Sequence, residues 1–189
     1  MATIQNVFDE CKKLYAGVYD YIVKMANHAA KVNKDNGIKT DPSVTIAKFE
    51  LIIQYSLLQF ANTSGGISSN EKIFIRDITK SYDFINYFNK NYASDKKELS
   101  WETLVDASPT VVQNFLDSNR LLFQDMIYEV RDVFANYDKV TNYNYLADLK
   151  ATFYKLIQGL ALMDGDMDNE DYNKTLLFDE LAYEIEKSK

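Results

Sequence analysis

At 189 residues, with 47% hydrophobic and 26% charged residues but only two prolines and six glycines, the composition is that of one globular, helix-rich domain, and disorder is excluded. No run of about 18 apolar residues is present to span a bilayer, and the single cysteine, Cys11, excludes an internal disulfide. The formal net charge of −7 is concentrated: nine Asp/Glu stand against one lysine between Ala161 and Glu186, a local −8 that leaves +1 for the rest. An acidic chain without a Lys/Arg stripe is repelled by a polyphosphate backbone, which argues against nucleic acid and for a cation or a basic protein surface.

The opening residues Met1-Ala2-Thr3-Ile4-Gln5-Asn6 lack a charged start followed by an apolar signal core, so a cytoplasmic protein is expected. Ile4, Phe8, Cys11, Tyr15, Val18, Ile22, Met25 and Ala29 then recur at alternating steps of four and three, predicting one helix over 3–34. Val7, Leu14 and Tyr21 widen this stripe beyond a two-stranded seam, so it is expected to pack within its own domain. Cys11 falls on the stripe as a small hydrophobe. His28 has no partner histidine or cysteine and no Glu three residues before it, and reads as an ordinary side chain.

Residues 33–41 are a polar loop, and Pro42 opens a second helix carrying Val44, Ala47, Leu51, Tyr55, Leu58 and Ala61 to the core. It stops at Ser64-Gly65-Gly66, and Ser68 with Glu71 forms a Ser-x-x-Glu capping box for the next helix. Helical spacing continues through Ile75, Ile78, Phe84, Ile85 and Phe88, with a break near Lys80-Ser81, before the surface loop 93–98. Ser100 is placed to cap a short helix with Trp101, Leu104 and Val105. Ser108-Pro109 starts a longer stripe from Val112 to Phe134 that breaks near Asn119. Residues 136–145 read as a loop with Tyr137, Tyr143 and Tyr145, a residue type favoured at interfaces because its ring is buried while its hydroxyl stays wet. Leu146 to Leu160 and Tyr172 to Ile185 give the last two helices.

Shifting the numbering by one hundred lays Phe60 to Glu71 over Leu160 to Asp171, with Ala61 on Ala161, Gly65 on Gly165 and Glu71 on Asp171. The expectation is therefore an all-α single domain of about seven to nine helices, with repeated hairpins at 51–78 and 151–178 and helices 80–145 inserted between them. In the second copy Gly165 ends a helix in the left-handed conformation, Asp168 caps the next, and Asp171 completes the box. That account leaves Asp164, Asp166 and Glu170 unexplained, since the first copy has Ser64, Gly66 and Asn70 there. The spacing Asp164-x-Asp166-x-Asp168 matches the start of a calcium loop, but Asn169 replaces its glycine and Thr175 its bidentate glutamate, so the chemistry indicated is a shallow oxygen site binding a divalent cation such as calcium weakly.

The pattern of apolar helix, small residue, Asp-Gly, two variable positions, Ser/Asp and an acidic residue opening the next helix resembles the tellurite-resistance TerB-like family. Leu162 to Asp171 carries it well; Leu58 to Glu71 carries it in degenerate form, with Ser64 for the aspartate. The resemblance implies an all-helical domain linked to metal or envelope stress, with cation ligands at Asp164 and Asp171 and at Glu71 of the first copy. Two functions follow as expectations. One is a non-enzymatic stress-response domain that binds a cation, or docks a basic partner, through its acidic C-terminal hairpin. The other is a metal-independent interaction or immunity-type adaptor using the tyrosines of 137–145 and the N-terminal helix, with another protein or a second copy of the chain as partner.

Overall fold

The computed structural model describes residues 4–79, 90, 101–163, 175–177 and 180–181. Its elements are α1 (Ile4–Asp35), α2 (Pro42–Ala61), a 3-10 turn (Asn62–Ser64), α3 (Ser69–Ile78), α4 (Trp101–Val105), α5 (Pro109–Ser118), α6 (Arg120–Thr141) and α7 (Tyr145–Leu162), and the fold is all-α. α1, α2, α6 and α7 form an up-down-up-down bundle. Phe49 meets Phe134 while Tyr55 stacks on Phe123 at 3.8 Å, so α2 and α6 run antiparallel. Tyr21 meets Tyr145 while Cys11 meets the Lys155 carbonyl, so α1 and α7 do too. The short connections at 36–41 and 142–144 make the α1–α2 and α6–α7 pairs antiparallel as well.

α2 is the axis of the molecule. Every residue from Phe49 to Leu58 is buried, including Glu50, Gln54 and Ser56, because α1, α3, α5, α6 and α7 all pack on it. The one-sided stripe expected for this helix is thus corrected in two ways: its polar positions are inside, and Val44, expected in the core, is 40% exposed. A helix covered on all sides needs no amphipathic pattern, only partners for its polar atoms. Tyr15 donates its hydroxyl to Glu50 Oε1 at 3.0 Å, Gln54 donates to Thr79 Oγ1 at 2.5 Å, and Ser56 donates back to the Ile52 carbonyl at 2.7 Å. Tyr55 donates to the Leu116 carbonyl at 2.9 Å, which ties α2 to α5.

The predicted helix boundaries at Pro42, Ser68, Pro109 and Asn119 are observed. Asp41 caps α2 by accepting from the Ser43 N–H at 2.9 Å. Gly65 ends the α2 turn at φ 94°, a left-handed conformation that costs glycine least. The long first helix buries Cys11, Tyr15, Val18, Ile22 and Met25 as its spacing requires, but Leu14, expected to widen the stripe, is 41% exposed. The break near Lys80-Ser81, the cap at Ser100, and the residues that would show 151–178 repeating 51–78 beyond Met163 lie outside the described residues.

Candidate functional site

Of the sequence-predicted cation ligands, Asp164, Asp166, Asp168 and Asp171 lie outside the described residues, and Glu71 lies inside them. Glu71 is buried, and its Oε2 accepts the Ser68 N–H at 2.9 Å while Ser68 Oγ accepts the Glu71 N–H at 3.2 Å. This is the predicted capping box, so a cation at Glu71 would compete with a cap already formed. Among the described residues no three of His, Cys, Asp and Glu converge. The flanks of the acidic stretch are fixed on the first hairpin: Asn70 donates to the Met163 carbonyl at 3.2 Å, and the Leu176 N–H donates to Gln59 Oε1 at 3.1 Å. Further on, Glu180 accepts from Gln124 (3.3 Å), Tyr128 (3.1 Å) and Arg131 (3.4 Å), pinning the C-terminal segment to α6.

The expected tyrosine loop is a correction. α6 continues to Thr141, and only Asn142, Tyr143 and Asn144 separate it from α7. The physical reason is that 136–141 contains neither glycine nor proline, and Tyr137, half-buried, continues the apolar stripe of Val130 and Phe134. The stop comes from Asn142 at φ 56°, a residue type that tolerates the left-handed region. Asp138 then accepts the N–H groups of Tyr145 (2.9 Å) and Leu146 (3.2 Å), and Asn144 that of Ala147 (2.9 Å), so two side chains cap α7. Burial raises the Asp138 pKa, partly opposed by these two backbone donors.

The tyrosines nevertheless gather. Tyr145 is the centre of a ring cluster, 4.9 Å from Tyr21, 5.5 Å from Tyr137 and 4.4 Å from Tyr143, and Tyr137 continues it to His28 at 5.4 Å. Tyr143 donates to Asp148 at 3.0 Å, and that carboxylate raises its pKa. Where Tyr137 and His28 meet, α1 and α6 diverge around a groove of about 360 Å³. Its walls are Met25, Ala29, Val32, Val133 and Val140, with Asn33, Asp132 and Asn136 as polar positions. That size and mixture, mostly apolar with a few directed polar groups, is the ordinary make-up of a binding cleft. Among the described residues, half of the exposed large hydrophobic side chains lie at this end of the bundle: Val32, Ile38, Val44, Val140 and Tyr143.

His28 is therefore a groove residue rather than an isolated side chain. The α6 wall is hidden in the sequence because 136–145 reads as a loop. The signal that exposes it is the i, i+4, i+7 series Val133, Tyr137, Val140 alongside Met25, Ala29, Val32. No family model, curated protein or solved structure matches the chain, so its function is argued from this geometry.

Proposed function

We propose that the protein is a non-enzymatic, cytoplasmic docking domain that takes an apolar side chain of a partner protein into the α1–α6 groove. The observation that carries this reading is the groove itself: an open cleft between two bundle helices, walled by valines, Met25 and Ala29, and floored by the His28–Tyr137 edge contact. The partner's anchor is flanked by a basic residue, because the one carboxylate on the groove, Asp132, stays 64% exposed beside its 3.3 Å pairing with Arg131 and charge on a rim sets partner choice and encounter rate. A synthetic amphipathic helix with leucine anchors and lysines one turn away tests it by amide shift mapping. The expected shifts centre on Met25, His28, Ala29, Val32 and Tyr137 and vanish in Val140→Asp, while a glutamate-substituted peptide gives none. Absence of shifts in that set removes the reading.

A second reading, that the acidic stretch holds a divalent cation through Asp164, Asp166, Asp168 and Asp171 as in a TerB-like stress-response domain, is supported by one contact. Asn70 of the first hairpin reaches the carbonyl of Met163, the residue before Asp164, as two abutting hairpin corners would require. Calorimetry with calcium at roughly 0.1–1 mM should give heat in the wild type and none in Asp166→Asn. A flat wild-type isotherm leaves the acidic stretch as a charged surface only.

A further inference from the structure

The outward face of α1, away from the groove just described, is organised about Gly17. Glu10, Lys13, Gly17, Asp20 and Lys24 follow one another at three- and four-residue steps and are all exposed, with Leu14 and Tyr21 beside them. Two features set this face apart from an ordinary solvated one. The first is the glycine: a Cβ at Gly17 would meet no atom within 4 Å. No packing among the described residues requires glycine there, although glycine weakens a helix interior relative to alanine. Gly17 forms the edge of an open depression of about 320 Å³ shared with Leu14, Tyr21 and Ala151 of α7.

The second feature is the order of charges. Reading outward from Gly17, Lys13 and Glu10 lie in one direction, and Asp20 and Lys24 in the other. Each charge is answered by its opposite at nearly the same distance. None of the four makes an ion pair with another described residue.

If a second α1 is laid antiparallel across the first with both Gly17 residues at the crossing, position 10 faces position 24 and position 13 faces 20–21. Glu10 then meets the second copy's Lys24, and Lys13 the second copy's Asp20. Two-fold symmetry repeats both contacts, giving four ion pairs around a small centre of Gly17, Leu14 and Tyr21. A parallel pairing would instead place like charges opposite one another. We infer that this face of α1 is a self-association surface: the chain forms a two-fold dimer through antiparallel α1 helices that cross at Gly17. Absence of a side chain there lets the two backbones approach closely, the charge order fixes the orientation, and the same patch serves on both copies, as an isologous interface demands.

Sedimentation equilibrium of the full chain tests this. The expected result is a reversible monomer–dimer equilibrium whose Kd rises about tenfold between roughly 50 mM and 500 mM salt, because its ion pairs are exposed and screened. Glu10→Lys and Lys24→Glu should each weaken the dimer about tenfold. The double variant, which exchanges both signs, should return to within about threefold of the wild type. Gly17→Gln should be monomeric with a thermal midpoint no lower than that of the wild type, since the space above Gly17 is open and glutamine keeps a helix interior better than glycine. A monomer at all concentrations, a Gly17→Gln protein that dimerises like the wild type, or a double reversal no tighter than the singles would overturn the inference.

Discussion

Two glycines on the α1–α7 pair stand in opposite surroundings. Gly159 of α7 is buried, and a Cβ there would lie 2.4 Å from Cys11 Sγ and 3.4 Å from the Phe74 ring. Gly17 of α1 looks onto open space. At the first level the two helices touch so closely that the Cys11 thiol reaches the Lys155 carbonyl at 3.7 Å; at the second they leave a depression. The same residue type on the same helix pair thus answers two demands. At Gly159 the chain's own packing excludes a side chain, whereas at Gly17 none of the described residues does, and in the dimer inferred above the requirement comes from the second copy.

The contrast breaks most visibly at Gly159. Gly159→Val should destabilise by about 3 kcal/mol in urea unfolding, the cost of forcing methyl groups into a filled contact. Combining it with Cys11→Ala should cost clearly less than the sum of the two single changes; strict additivity would mean that the thiol is not what fills the space. The dryness of that level has a pH signature. Burial, with Glu10 nearby, pushes the Cys11 thiol from 9.0 up to about 11. A folded pKa above the unfolded one means that the contribution is complete below pH 9 and is lost as the pH rises through 11. Alkaline titration of stability should therefore fall more steeply for the wild type than for Cys11→Ala across that window, and identical curves would place the thiol in water.

Smaller effects sharpen the comparison. Asp138→Ala removes the acceptor of the Tyr145 and Leu146 N–H groups and should cost about 1 kcal/mol as a lost helix cap, an effect of helix termination that is independent of either glycine. Gly17→Ala carries the opposite sign. In dilute, monomeric solution it should raise stability by about 0.5–1 kcal/mol, because alanine keeps a helix interior better and meets no obstacle. A loss of stability there would show that Gly17 is constrained from within after all.

How much of this was legible in the sequence depended on whether the signal was local. The α1 spacing, the Asp41-Pro42 and Ser108-Pro109 starts, the Ser68–Glu71 box and Gly65 are local chemistry, and each emerged where its residues placed it. The all-round burial of α2 was written in the run Phe49-Glu50-Leu51-Ile52-Ile53-Gln54-Tyr55-Ser56-Leu57-Leu58, yet Glu50, Gln54 and Ser56 made it read as one-sided. The partners of Glu50 and Gln54, Tyr15 and Thr79, lie outside the helix where periodicity cannot supply them, while Ser56 is satisfied by the Ile52 carbonyl of α2 itself. The end of α6 is not legible because the asparagines and tyrosines of 136–145 read as a loop, whereas the stop is the backbone conformation of Asn142. The groove is hidden for the same reason: it needs α1 and α6 side by side, and three of its five α6 residues, Asn136, Tyr137 and Val140, lie in the stretch that reads as a loop.

The position of α2 also determines how the molecule opens. Since α1, α3, α5, α6 and α7 each bury part of it, no subset of helices can swing away while leaving Phe49 to Leu58 both folded and dry. The amides of this segment are consequently confined to exchange with solvent through complete unfolding, while the ends of α1, covered on one side only, exchange through local fraying. The central helix therefore reports the global stability of the domain, and the outer one reports its breathing.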